Sequence, residues 1–413
     1  MESARLIAGL ARYANDVGIA EELAQDAVVA ALEQWPTSGV PNNPGAWLMT
    51  VAKRRAVDLF RRNRELERKY AQIGRALLAE GVTADFDRAF SDDIDDDLLR
   101  LVFTACHPVL AVPARVAMTL RLLGGLTTAE IARAHLVPEP TIAQRIVRAK
   151  RALARARVRF EAPSSQERPA RLASVLEVIY LIFNEGYSAT AGDHWTRPAL
   201  CEEALRLGRI LAQLAPEEPE VHGLAALMEI QASRIRARTG PSGEPVLLAD
   251  QDRARWDQLL INRGMAALAR AEELGGQRGP YALQAAIAAC HAQAFRTEDT
   301  DWARIIALYA ILAKVMPSPV VELNRAVAVS MAFGPQAGLA IVDELAAEPS
   351  LRGYHLLPSV RGDLLMKLGR PAEARAEFER ASALTRNAAE RRLSAERARA
   401  AGASAEGDAF SDR

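Results

Sequence analysis

The stretch from Leu126 to Leu153, LTTAEIARAHLVPEPTIAQRIVRAKRAL, constrains the fold more than any other part of the chain. Thr127 and Glu130 have the spacing of a capping box, in which each side chain satisfies a free amide at a helix start. A short helix to His135 is expected, then the turn Leu136-Val137-Pro138, then a second helix opening at Glu139-Pro140. In that second helix Ile142, Ile146, Ala149 and Leu153 share one face at helical spacing. Thr141, Gln144, Arg145 and Arg148 share another, polar face. This pattern fits a helix-turn-helix. It also fits an ordinary αα-hairpin with an arginine-rich outer face. As DNA chemistry, Arg145 and Arg148 suit guanine edges and Gln144 suits adenine. Lys150, Arg151, Arg155 and Arg157 suit phosphates, which position a protein without specifying sequence.

Net charge argues the other way until it is resolved along the chain. There are 52 Lys+Arg and 52 Asp+Glu in 413 residues. From Lys53 to Arg75 nine bases face three acids, and from Glu80 to Asp97 eight acids face Arg88 alone. From Arg100 to Phe160 eleven bases face two acids, whereas residues 161–413 hold 29 bases and 33 acids. Two basic blocks with an acidic connector between them suit a nucleic-acid partner; a solvated helix face accounts for any one block taken singly. In the first block Lys53, Arg54, Arg55, Arg61 and Arg62 are placed to track a strand backbone.

The remaining pattern reads as all-α. Half the residues are hydrophobic and only 5% are aromatic, which favours helices. Amphipathic helices are expected over 3–14 and 21–34, the second ended by Trp35-Pro36. The loop 36–44 follows, and Asn43-Pro44 opens a long helix to about Ala79 with Trp47, Leu48, Val51, Ala52 and Leu59 on its buried stripe. The expected division is a helical domain over 1–79, an acidic linker over 80–97, the helix-turn-helix domain over 98–160, helical hairpins over 170–399 and a frayed tail over 400–413. Within the hairpins, the segment at 203–220 recurs loosely at 373–390. The offset matches five tetratricopeptide periods. Leu368-Gly369-Arg370, Glu373, Ala374, Phe378 and Ala381 form the clearest unit, and Gly334, Ala337 and Ile341 a related one.

Catalytic signatures are missing: there is no GxxxxGK[ST], HExxH or GxSxG, and no GxGxxG following a strand. Cys106-His107 and Cys290-His291 are neighbours on helices and point apart, so packing is the expected role of both pairs. Asp193, His194 and Arg197 sit near a helix junction, where structure is favoured over a pocket. No metal and no cofactor is expected. With no signal peptide and no uncharged apolar run long enough to span a bilayer, an intracellular, cytoplasmic chain with no membrane partner is expected.

EELAQDAVVAALEQWP, NPGAWLMTVAKRRAVDLFRR and the helix-turn-helix string, in that order, resemble the second and fourth regions of extracytoplasmic-function RNA polymerase sigma factors. LRLVFTACHPVL, VIYLIFNEGY, LLADQDRARWD, GPYALQAAIAACHA and SPVVELNRAVAV resemble the subgroup with a long tetratricopeptide-like C-terminal extension. The resemblance implies a non-enzymatic specificity subunit that binds core RNA polymerase and promoter DNA. Gln25 and Asp26 would dock on the clamp helices of the largest polymerase subunit. Trp47 and the face carrying Lys53, Arg54, Arg55, Arg61 and Arg62 would melt and hold the −10 element, with loop 36–44 capturing a flipped base. Thr141, Gln144, Arg145 and Arg148 would read the −35 element, beside phosphate contacts from Lys150 and Arg151. The acidic connector would follow the polymerase's RNA path. Val28 stands where the family often has an aromatic, and it suits a buried face. The extension would regulate, and its repeats suit a protein or peptide ligand. A helix-turn-helix regulator with a repeat-type sensor domain is the competing reading.

Overall fold

The computed structural model describes residues 2–62, 97–135, 137–241 and 243–411. The expected continuation of the third helix beyond Arg62, most of the acidic connector and Leu136 of the turn lie outside these residues. Among them the chain is mainly α-helical, with four short 3-10 turns, irregular stretches such as 156–167 and 188–197, one two-residue strand pair and an isolated antiparallel bridge between Thr239 and Pro245. They divide into two compact units, 1–181 and 182–413.

The first unit holds two helical bundles. In the first, α1 (Glu2–Ala14), α2 (Val17–Ser38) and α3 (Pro44–Arg62) pack together. Ile7, Leu10, Leu23, Ala27, Met49 and Ala52 are buried there. Met49 Cε packs over Gly9, 2.8 Å from where a Cβ would stand. Two boundaries differ from expectation. The second helix starts four residues early because Asp16 accepts from the Gly18 and Ile19 amides. It also runs through Pro36 to Ser38, where the Thr37 and Ser38 hydroxyls donate to the Gln34 carbonyl and Gly39, at φ +80°, closes it. A proline one turn from a helix end removes a single ladder bond, which is tolerable there. Asn43 caps α3 through the Ala46 amide, as expected. Leu48 and Ala52 are buried, Trp47 and Val51 half-buried.

The second bundle comprises α4 (97–105), α5 (Val112–Leu122), α6 (Thr128–His135) and α7 (Glu139–Arg155). The capping box forms: Thr127 Oγ1 accepts from the Glu130 amide, and Glu130 Oε2 accepts from the Thr127 amide. Ile142, Ile146, Ala149 and Leu153 are all buried. The start of α8 (Arg168–Tyr187) completes this bundle. There Arg171 donates to the Phe103 carbonyl, Ser174 to the Cys106 carbonyl, and Arg115 to Ser174 and Glu177. Residues 170–181 therefore lie with the first unit and not with the hairpins.

In the second unit each helix packs on the next: α9 (Pro198–Leu214), α10 (Pro219–Ala232), α11 (Gln258–Glu273), α12 (Pro280–Gln293), α13 (Trp302–Val315), α14 (Pro319–Phe333), α15 (Pro335–Leu345), α16 (Leu356–Lys367), α17 (Pro371–Leu384) and α18 (Ala388–Ser411). Ala374, Phe378 and Ala381 are buried as expected, and a Cβ at Gly362 would lie 2.6 Å from the Phe378 ring. In the related unit Gly338, Leu339 and Val342 are buried, while Ala337 and Ile341 are half-buried. Where a tail is expected from residue 400, α18 continues through residue 411, and Ala398 and Ala401 join the core around Phe378; residues 412–413 lie outside the described residues. Short parallel strands β1 (Ala191–Gly192) and β2 (Arg386–Asn387) tie the first loop of this unit to its last helix. Asn387 Nδ2 reinforces the tie by donating to the Ala189 and His194 carbonyls.

Candidate nucleic-acid interface

The apolar face of α7 is consumed by packing, which leaves its other face for solvent. Gln144, Arg148 and Arg151 are exposed, and Thr141 and Arg145 are half-buried. Gln144, Arg145, Arg148 and Arg151 have no side-chain hydrogen bond or ion pair with another described residue. Lys150 differs. Its ammonium sits 2.7 Å from Glu21 Oε2 on α2, facing the first bundle.

The basic face of α3 is more heavily engaged. Lys53 Nζ donates to the Tyr13 hydroxyl at 3.1 Å and stands over that ring. Arg55, half-buried, lies 3.4 Å from the exposed Asp26 carboxylate, and a pair so open to solvent contributes little in water. Arg54 is exposed; the side chains of Arg61 and Arg62 lie outside the described residues. Trp47 packs against Trp35 with ring centroids 5.4 Å apart at 60°. These two tryptophans flank loop 36–44, whose first residues belong to α2.

Gln25 and Asp26 are exposed on α2, and Gln25 Nε2 donates to Glu21 Oε1 at 2.9 Å. Beside them Val28, Val29 and Leu32 face solvent, Leu32 at 70%. Val28 is therefore not a core residue. In sequence this strip is marked only by the spacing 25, 28, 29 and 32, one helix face in which polar and apolar residues mix.

Groups singled out for other chemistry are committed to structure. Cys106 Sγ lies 3.3 Å from Thr119 Oγ1, and burial pushes its thiol up to about 11. Burial likewise raises the Cys290 thiol above its ordinary value. Arg197 donates to Glu185 and to the Ala191 carbonyl. No group of three His, Cys, Asp or Glu among the described residues is arranged to hold a metal ion. No described helix is long and apolar enough to cross a membrane. The LLADQDRARWD segment is a staple: Arg253 donates to the His291 and Ala294 carbonyls, Asp257 caps α11, and Trp256 is buried.

Comparison with known proteins gives this geometry a family. Residues 2–65 match sigma-70 region 2 and residues 100–153 match sigma-70 region 4. The ECF RNA polymerase sigma factor SigK of Mycobacterium ulcerans (strain Agy99) is 33% identical over 150 residues, covering 35% of this chain and 75% of that protein. The chain belongs to the sigma-70 family. This sigma factor carries region 2 on α1–α3 and region 4 on α4–α7, with α6 and α7 as its helix-turn-helix. Family membership implies promoter recognition without enzymatic activity, and binding of core RNA polymerase and promoter DNA. Residues 171–272 match a family of unknown function, DUF6596. An uncharacterized protein of Rhizobium meliloti (strain 1021) is 45% identical over 386 residues, 92% of this chain and 89% of that protein, so the likeness extends through the C-terminal helices. No solved structure matches.

Proposed function

We propose that this sigma factor belongs to the extracytoplasmic-function type and directs initiation by reading two promoter elements. In this reading Gln25 and Asp26, with the apolar strip Val28, Val29 and Leu32, dock on the clamp helices of the largest polymerase subunit. Trp47, Lys53, Arg54, Arg55, Arg61 and Arg62 engage the −10 element, and loop 36–44 accepts an unstacked base. Thr141, Gln144, Arg145 and Arg148 enter the −35 major groove, with Lys150 and Arg151 on phosphates. The observation that carries the reading is the unengaged polar face of α7: a capped helix-turn-helix presents Gln144, Arg145, Arg148 and Arg151 with no carboxylate among the described residues to neutralise them.

The C-terminal helices act in this reading as a tetratricopeptide-like regulator that takes a protein or peptide ligand. The DNA-binding regulator alternative is disfavoured by the exposed strip on α2, which a simple repressor or activator does not need. The test is in-vitro transcription with core polymerase on templates selected from a random library. Full-length protein is compared with a form ending after Tyr187, because a cut near 160 would remove the α8 residues that bond to α4 and α5. Promoter-dependent initiation by either form supports the reading; none by both forms refutes it. A difference between the two forms gives the sign of regulation by the extension.

A further inference from the structure

One buried carboxylate joins the two bundles of the first unit. Glu21, on α2, is 4% exposed. Its Oε1 accepts from Arg121 Nε of α5 at 2.6 Å, and its Oε2 forms an ion pair with Lys150 Nζ of α7 at 2.7 Å. Gln25, one turn along α2, donates to the oxygen that Arg121 uses. At the start of the same helix a Cβ on Gly18 would stand 3.4 Å from Lys150 Cδ, so the lysine stem lies flat against α2. Two more polar links run in parallel. Asn15 Oδ1 accepts from the Phe160 amide at 3.0 Å, and Arg12 Nε lies 3.5 Å from the Asp97 carboxylate.

These links differ in kind from the apolar packing inside each bundle. Polar contacts between domains of one chain are the ones that separate and re-form. Lys150 supplies one ammonium, and while the buried Glu21 carboxylate holds it it is not available to a DNA phosphate. Glu21 and the promoter backbone thus compete for the same cation. We propose that Glu21 is a latch: it holds the two bundles closed with Lys150 withheld from DNA, and its release precedes engagement of both promoter elements. The latch rests on the reading of α7 as a DNA-contacting helix. Arg121 is its anchor and not a DNA contact, which separates it from Lys150. A buried carboxylate stripped of one cation is costly, so the ion pairs give way together and the molecule has a closed and an open state.

The test measures closure without DNA or polymerase. Spin labels at Val29→Cys on α2 and Val147→Cys on α7 occupy exposed positions, and the native cysteines are buried and escape labelling. Distance distributions are recorded by pulsed electron spin resonance on the full-length chain, with thermal unfolding as the check of folding. Glu21→Gln and Arg121→Gln should each lengthen and broaden the distance. Unlabelled, each should tighten binding to a library-selected −35 duplex by about five- to tenfold. Lys150→Gln should lengthen the distance equally yet weaken DNA binding, because the cation is lost to both competitors. Unchanged distances in both Glu21→Gln and Arg121→Gln, in folded protein, overturn the latch whatever happens with DNA. Lengthened distances with no DNA binding by any form uphold Glu21 as the closure between the bundles and overturn both the promoter reading and the competition for Lys150.

Discussion

On α7, Arg145, Arg148 and Arg151 reach no carboxylate among the described residues, whereas Arg234, Arg238 and Arg253 of the second unit sit among aromatic rings and carbonyls. Arg238 is buried with its guanidinium 3.6 Å from the Tyr187 ring centroid and 4.4 Å from that of Trp195. Arg234 donates to the Tyr187 hydroxyl, and both Arg234 and Arg253 stand over Trp256. The same residue type holds a fold together in the second set and has no partner among the described residues in the first. What separates the two sets is the surroundings: apolar stems and ring faces absorb the second, while the first lies exposed or half-buried with no carboxylate beside it.

The sharpest way to break this contrast is to remove one arginine from each set. Arg253→Ala should cost roughly 3 kcal/mol of stability, because two charge-assisted bonds to carbonyls and a ring contact are lost. Denaturant unfolding reads that loss, and DNA affinity below the transition should stay unchanged. Acid attacks the same cluster. Burial first, then the charges of Arg234 and Arg253, lower His291 from 6.5 to about 4. Below pH 6.5 the unfolded chain takes up a proton that the folded chain refuses until about pH 4. Stability should therefore fall as pH drops through that window, by up to about 3 kcal/mol; urea midpoints at pH 7 and 4.5 should differ less in His291→Asn than in the native chain.

On the open face the order of effects reverses. Arg145→Ala should leave unfolding within about 0.5 kcal/mol but weaken −35 binding by roughly 1–3 kcal/mol at one base position. An equal loss on all DNA sequences would reassign it to a phosphate. Thr127→Ala should cost about 1 kcal/mol through the lost helix cap, seen as a lower melting temperature with unaltered base preference. The smallest change is expected for Arg151→Ala: weaker binding on every sequence, and a salt dependence shallower by about one contact.

How far sequence carried this contrast depended on distance along the chain. The helix-turn-helix was legible because its determinants are local: a capping box and a periodic stripe both lie between Thr127 and Leu153, and all four stripe residues are buried. The charge blocks were legible for the same reason. Partners were not. Lys150 looks like its neighbours Arg148 and Arg151, and only the fold brings it to Glu21, on a helix far earlier in the chain. Arg238 carries no mark in sequence that distinguishes it from a surface arginine, since Tyr187 and Trp195 come from another helix and loop. Boundaries failed where one side chain overrode composition: Asp16 started α2 early, and buried Ala398 and Ala401 kept an Ala/Gly/Ser-rich tail helical.

In the proposed function α7 reads one promoter element while the first bundle holds another. Footprinting of core polymerase with the full-length chain, on a library-selected template, tests both halves at once. Two protected blocks are expected, one at each promoter element, with single-stranded reactivity in the downstream block. Arg145→Ala combined with Arg148→Ala should erase the upstream block and leave the reactivity of the downstream one wherever a complex still forms. Protection identical to that of core polymerase alone, or an upstream block indifferent to both substitutions, would contradict it.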